Sequence, residues 1–238
     1  MHHGQGEPVP ERYLRNLQAI SASEQAQLRD ARVGVCGCGG LGLYVVNYLA
    51  RLGVGRITVW DPDVFHESNI NRQLLASYKT LGQKKAEVCR QYVQEINPEV
   101  VLTALPCLWE AGDPVIFAQQ QVIVDALDSI PSRLALAEAC GRAALPMVHG
   151  AVGGWYGQVT VIMPGDKTLH ALYSNTDRTG IEEEQGTLSF TAAVIAGMQA
   201  AEVIKLLLKR ESDLIHEIGM VDLLDLGVER FQKNATPM

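Results

Sequence analysis

The run from Arg32 to Asp61 constrains the fold more than any other part of the chain. It reads Arg32-Val-Gly-Val-Cys36, then Gly37-Cys-Gly-Gly-Leu-Gly42, then a stretch over 43–52 with apolar residues at helical spacing, then Arg56-Ile-Thr-Val-Trp60. Short apolar, β-branched runs bounded by glycine predict strands, and the stretch between them predicts a helix. A strand, a glycine-rich turn, a helix and a second strand fit a right-handed parallel crossover.

The glycines of this turn, Gly37, Gly39, Gly40 and Gly42, lie where a nucleotide loop needs them, after a strand and at the opening of a helix. Without a Cβ the backbone can approach a phosphate, and the helix start offers free N–H groups and the positive end of its dipole. Asp61 closes the second strand 19 residues after Gly42. That spacing suits an acid bonding a ribose hydroxyl. The pattern predicts a nucleotide site and leaves NAD and ATP both open.

The chain downstream continues the alternation. Helices are predicted over 83–96, 115–120 and 131–144, and strands over 100–104, 122–125 and 147–150. This implies an α/β fold, a Rossmann-like doubly wound sheet that is parallel in its first half with helices on both faces. After Gly153 the pattern changes. A strand is predicted over 158–162, a polar irregular segment over 165–186, an apolar helix over 191–208, and terminal strands over 218–226 and 228–231 around Gly227. The second half of the sheet is therefore expected to be mixed or antiparallel. Upstream, 11–30 reads as helical, with Ser21 and Glu24 spaced as a capping box. The expected organisation is a helical arm over 1–30, one ATP-binding domain over 31–231, and a tail over 232–238 frayed from Asn234.

A chain of 238 residues with 47% hydrophobic and 20% charged residues can bury the core such a sheet needs. Its formal net charge of -7 argues against broad nucleic-acid binding. The five cysteines lie in or beside apolar segments without a disulfide-scaffold pattern, which reads as reduced thiols in a cytoplasm. The long apolar stretch over 190–208 is interrupted by Thr191, Gln199, Glu202 and Lys205, so it reads as a core helix and not as a membrane span.

Polar residues behind the glycine turn narrow the chemistry. They run Asp61-Pro-Asp63, Ser68-Asn69-Ile-Asn-Arg72-Gln73, Gly82-Gln-Lys-Lys85 and Asp125-Ala-Leu-Asp128. Phosphoryl chemistry needs cations on the phosphate oxygens and a carboxylate for Mg²⁺. Arg72 and Lys85 can supply the first and Asp128, at a strand's C-terminal end, the second. Taken singly, each is a solvated surface charge. Together and in this order they favour ATP, since a hydride-transfer enzyme has no use for the Arg-Gln and Lys positions.

In these segments the chain resembles the MoeB/ThiF/HesA family of sulfur-carrier adenylyltransferases, bacterial relatives of the ubiquitin-activating enzymes. The likeness extends from about Arg12 to Leu208 and includes Arg12-Tyr-Leu-Arg15, Gly157-Gln-Val159 and Gln199-Ala-Ala-Glu-Val-Ile-Lys205. The resemblance implies that Asp61 binds ribose, that Asp63 belongs to the nucleotide site, and that Asn69, Arg72, Gln73 and Lys85 surround the triphosphate. It implies that Asp128 holds Mg²⁺ and that Arg15 reaches the ATP site of the partner in a homodimer. The reaction implied is attack of a carrier protein's C-terminal carboxylate on the α-phosphate of ATP, giving an acyl adenylate and pyrophosphate. The carrier would be a ubiquitin-like, ThiS/MoaD-type protein ending in Gly-Gly.

Two departures bear on that reading. Many relatives carry two Cys-x-x-Cys zinc pairs, and this chain has none, so no zinc site is expected. Many relatives also place a cysteine before the long apolar helix, and 165–186 contains none. Adenylation survives this loss because the nucleophile is the substrate's own carboxylate. Among further residues, His149 reads as a satisfied, partly buried histidine, and Trp155 and Tyr156 as packing or the lining of a tail groove. Rival functions are adenylation of a small-molecule or tRNA-attached carboxylate, a non-catalytic partner subunit, and an NAD-dependent dehydrogenase.

Overall fold

A computed structural model describes residues 9–174 and 185–233. One sheet of eight strands organises it. The strands are β1 (Arg32–Cys36), β2 (Arg56–Trp60), β3 (Val101–Leu105), β4 (Val122–Asp125), β5 (Met147–Gly153), β6 (Tyr156–Ile162), β7 (Glu217–Asp222) and β8 (Gly227–Gln232). Their order is β3-β2-β1-β4-β5-β6-β7-β8. Strands β1 to β5 pair in parallel, and β5 to β8 pair antiparallel with their neighbours. The doubly wound sheet, parallel first and antiparallel later, is as the sequence pattern predicts.

The helices are α1 (Ala22–Asp30), α2 (Gly42–Leu52), α3 (Lys85–Ile96), α4 (Pro114–Ala118), α5 (Ile130–Arg142), α6 (Thr168–Leu172) and α7 (Ser189–Leu207). They cover both faces because alternate strand residues point opposite ways. Val33, Val35, Val59 and Val124 belong to one buried cluster with residues of α2, α3 and α7. Cys36, Trp60 and Ile123 belong to the other, with Leu136, Cys140 and Leu169 from α5 and α6. Each fully buried side chain of this size contributes about 1.5–3 kcal/mol.

Helix ends follow their local chemistry. Ser21 caps α1 by accepting the Glu24 amide at 3.2 Å, while the Glu24 carboxylate accepts the Ser21 amide at 2.7 Å, which completes the predicted capping box. Gly53 stops α2 with φ +82°, a left-handed conformation that glycine adopts without steric cost.

Several boundaries differ from the sequence reading. The helical run expected over 11–30 divides into a 3-10 turn at Glu11–Asn16 and α1, because Ser21 takes the extended backbone of an N-cap. The helix expected from 83 begins at Lys85, since Gly82 and Gln83 bond back to Phe65. Strand β5 continues to Gly153, carried by its pairing with β6 down to Gly153 opposite Tyr156. Helix α6 lies within the segment expected to be irregular, started by Asp166, whose carboxylate accepts the Thr168 amide at 2.7 Å. Residues 175–184 of that segment and the tail over 234–238 lie outside the described residues.

Helix α7 is long and apolar enough to cross a membrane by length and composition. It instead packs on α2, β5 and β6, with Ala192, Ile195, Ala196 and Val203 fully buried, and is a core helix.

Candidate functional site

The strand order reverses between β1 and β4, and in doubly wound sheets ligands collect in the crevice at that point. The loop between β1 and α2 fills this position. Gly37 has φ +101° and donates its amide to the Trp60 carbonyl at 2.9 Å. A Cβ on Gly37 would lie 2.5 Å from the Ala126 carbonyl oxygen, just past β4. A Cβ on Gly42 would lie 1.9 Å from the Gly37 carbonyl oxygen. These two glycines are required by the chain's own packing.

Gly39 and Gly40 differ. Neither has a positive φ. A Cβ on Gly39 would meet nothing nearer than Gln73 Nε2 at 3.9 Å, and one on Gly40 nothing nearer than Arg72 and Ala192 at 3.7 Å. Nothing in the fold demands glycine at either place. Among the described residues their amides have no acceptor, and Leu41, the N-cap of α2, supplies no side-chain bond. Open amides at a helix start form a seat for an anion.

The acidic and basic residues predicted from sequence surround this loop. Asp61 is 5% exposed, with one carboxylate oxygen accepting the Cys38 amide at 2.6 Å and the other the Asp63 amide at 2.8 Å. Burial holds its pKa above the ordinary carboxylate value, opposed by Lys85 and by these two amides. The Lys85 ammonium, 7% exposed, lies 3.0 Å from Asp63. Arg72 donates to the Ser68 carbonyl and to Asn71 Oδ1, both at 2.9 Å, while its stem passes Gly40. Asn69 accepts the His66 amide at 2.9 Å, which folds the loop that carries Arg72. Gln73 is buried beside Gly39, and its Oε1 has no partner among the described residues. An unpaired buried amide oxygen costs about 1–3 kcal/mol.

Asp128, three residues past the end of β4, is exposed, and its carboxylate has no partner among the described residues. Arg15 is not brought to this group. It is exposed on the 3-10 turn whose Tyr13 packs on Gly53, and Tyr13 accepts a 2.7 Å bond from Asn97. Gly53 caps the far end of α2, about 16 Å of helix from the glycine loop.

One constellation escaped the sequence reading. Asp125 and His149 are both fully buried and bonded at 2.7 Å. His149 Nε2 lies 3.1 Å from the Tyr173 hydroxyl, which accepts from Gln158 at 2.9 Å. Arg133, 3% exposed, donates to the Leu127 carbonyl at 3.0 Å. His149 is thus wholly buried, where a partly buried residue was expected. The available signal was Asp125 itself, an acid closing the apolar run Val122-Ile-Val, which needs a buried partner.

The cysteines stand apart from the open face of the site. All five are free, and all but Cys107 are buried. Burial raises the thiols of Cys36 and Cys140, the latter to about 12, and a bond with Cys89 followed by burial raises Cys38. Protonated thiols of this kind are poor nucleophiles.

Comparison with known proteins places this geometry. The sequence profile of the ThiF family matches residues 12–237. The chain is 34% identical to the molybdopterin-synthase adenylyltransferase of Escherichia coli, over 82% of this chain and 81% of that protein. It is 30% identical to the sulfur carrier protein adenylyltransferase of Thermus thermophilus, over 95% and 88% respectively. The solved structure of E. coli MccB with ATP shares the fold with a TM-score of 0.77 at 21% identity, covering 98% of this chain and 74% of that one.

Proposed function

Since the chain belongs to the ThiF family and is an adenylyltransferase of the ubiquitin-activating-enzyme-like superfamily, we propose that it joins AMP to the C-terminal Gly-Gly carboxylate of a ubiquitin-like sulfur carrier protein. A carboxylate oxygen of the carrier attacks the α-phosphorus of ATP, the bond to the bridging oxygen breaks, and pyrophosphate leaves. The observation that carries this reading is the meeting of the open Gly39 and Gly40 amides with Arg72 and Lys85 at the crevice between β1 and β4. The similarity to a sulfur carrier adenylyltransferase over 95% of the chain supports the carrier as substrate.

The proposed division of labour follows from charge and position. Asp61, its carboxylate fixed by two amides, takes the ribose. The glycine amides, Asn69, Arg72, Gln73 and Lys85 hold the triphosphate, and Lys85 exchanges Asp63 for phosphate oxygens. The unpaired carboxylate of Asp128 suits Mg²⁺, a hard cation held by one or two carboxylates together with substrate phosphates. When bound, that ion neutralises charge developing on the phosphates. Because the turn carrying Arg15 docks on the far end of α2, we assign Arg15 to the partner's site in a homodimer. The segment over 1–30 then serves as an arm on the domain over 31–231. The free thiols fit a cytoplasmic setting.

The test is ATP–pyrophosphate exchange, run with each small protein ending in Gly-Gly from the same genome. Exchange that depends on one such protein is expected. Exchange supported only by a small molecule or an RNA would replace the carrier, and tight NAD binding with no response to ATP would overturn the adenylyltransferase chemistry.

A further inference from the structure

Leu127, the residue just before Asp128, is held at both of its backbone polar groups by buried side chains. The Leu127 amide donates to Asp125 Oδ1 at 3.1 Å, and the Leu127 carbonyl accepts from Arg133 Nε at 3.0 Å. Asp125 is itself fixed by His149 through Oδ2 at 2.7 Å. Its backbone carbonyl accepts from Gln199 of α7 at 2.8 Å, and a Cβ on Gly150 would lie only 2.5 Å from that Gln199 side chain. Elements β5, α5 and α7 therefore converge on a loop that ends in an exposed carboxylate. Exposed loops do not ordinarily receive so many buried bonds.

We propose that Arg133 and Asp125 are positioning residues for Asp128, clamping the backbone on either side of Leu127 so that the carboxylate is preset for its cation. The inference rests on the assignment of the metal to Asp128 made above. Residues that orient a ligand carboxylate without touching the metal are themselves worth on the order of 10–100-fold in affinity.

The test reads metal binding and backbone protection, not turnover. Mn²⁺ binding is followed by electron paramagnetic resonance in the presence of a non-hydrolysable ATP analogue, for the wild type, Asp128→Asn, Arg133→Gln and Tyr173→Phe. Asp128→Asn should lose the nucleotide-dependent Mn²⁺, and Arg133→Gln should weaken it on the order of 10-fold. Tyr173→Phe, which removes a bond of His149 and one of Arg133 Nη1 but leaves the Arg133 Nε bond to Leu127 in place, should weaken it by less than Arg133→Gln does. A folded Arg133→Gln with wild-type Mn²⁺ affinity overturns the clamp while leaving the adenylation reading intact. Wild-type affinity in Asp128→Asn instead overturns the metal assignment, and the clamp with it. Should Arg133→Gln fail to fold, the wild type still decides. Hydrogen exchange should show the Leu127 amide protected as strongly as the neighbouring amides of β4, and rapid exchange there overturns the proposal.

Discussion

Strands β1 to β4 and strands β5 to β8 share one sheet but present different surfaces at the same end. Where β1, β2 and β4 finish, the protein offers backbone amides, the hydrogen-bonded carboxylate of Asp61, the exposed carboxylate of Asp128, and the cations of Arg72 and Lys85. Where β5 and β7 finish, it offers apolar side chains. Trp155 and Phe190 meet with ring centroids 5.0 Å apart and planes tilted by 51°, and each is about two-fifths exposed. The Leu223 amide bonds the Trp155 carbonyl at 3.0 Å, and beside it Leu224 and Leu226 are 57% and 85% exposed. The parallel half is built for a small anion and the antiparallel half for a larger, less polar surface. Under the proposed function the contrast would separate nucleotide chemistry from carrier recognition, so variants in the two halves should fail in different ways.

The largest effects belong to the parallel half. Arg72→Ala, Lys85→Ala and Asp128→Ala should each slow adenylation on the order of 10²–10³-fold with the fold retained, by the magnitude typical of losing one preorganised electrostatic group. Pyrophosphate exchange and circular dichroism check this, and full activity in Asp128→Ala would mean the metal is held elsewhere. Arg15→Ala should be nearly as inactive, although Arg15 is exposed and far along α2. When Arg15→Ala and Asp128→Ala chains are unfolded together and refolded, half of the dimers are mixed and hold one whole site. About a quarter of wild-type activity should return for a symmetric dimer. Mixed dimers without recovery would confine Arg15 to its own chain.

The glycine loop offers a finer division within the same half. Gly42→Ala places a methyl 1.9 Å from a backbone oxygen and should lower the melting temperature by several degrees or prevent folding. Gly39→Ala meets nothing nearer than 3.9 Å and should melt with the wild type. It should also lose the added stability that ATP with Mg²⁺ confers on a protein binding it only when folded. Equal melting behaviour of the two variants without ligand would erase the distinction.

Smaller effects are expected in the antiparallel half. Trp155→Ala and Leu226→Ser should raise the KM for the carrier, each by roughly 1 kcal/mol of binding or more if central to the contact. The response to ATP alone should not change. A loss of ATP binding in either variant would break the separation of the two halves.

The smallest effect lies outside both halves. Glu24 is held well below its ordinary value of 4.5, to about 2, first by the Ser21 amide and then by Arg210. A lowered carboxyl pKa stabilises the fold above the ordinary value and is lost as pH falls through the lowered one. Glu24→Gln should therefore melt slightly earlier at pH 7, with the difference vanishing near pH 2, and ATP and carrier constants should not move. A pH-independent difference would assign the effect to the helix cap alone.

The parallel half was the more legible in sequence because its devices are local. A glycine turn between a strand and a helix, and an acid at the next strand end, lie within thirty residues. The antiparallel half depends on pairing partners. The run Gly150-Ala-Val-Gly153 has little strand propensity of its own, and β6 makes it a strand. The brace behind Asp128 was illegible for the same reason. Asp125, His149 and Tyr173 stand 24 residues apart at each step, and only the folded sheet brings them together.

Helix α7 has a consequence for how the chain is made. Left alone, this apolar segment passes for a membrane span. The elements it packs against most, α1, α2, β4, β5 and β6, precede it in the chain. On a ribosome, which releases the amino-terminal end first, the cradle for α7 is synthesised before α7 emerges. The order of synthesis shortens the time this segment spends uncovered. A circular permutant beginning at Ser189 would expose it first, inviting capture by insertion machinery or by other nascent chains.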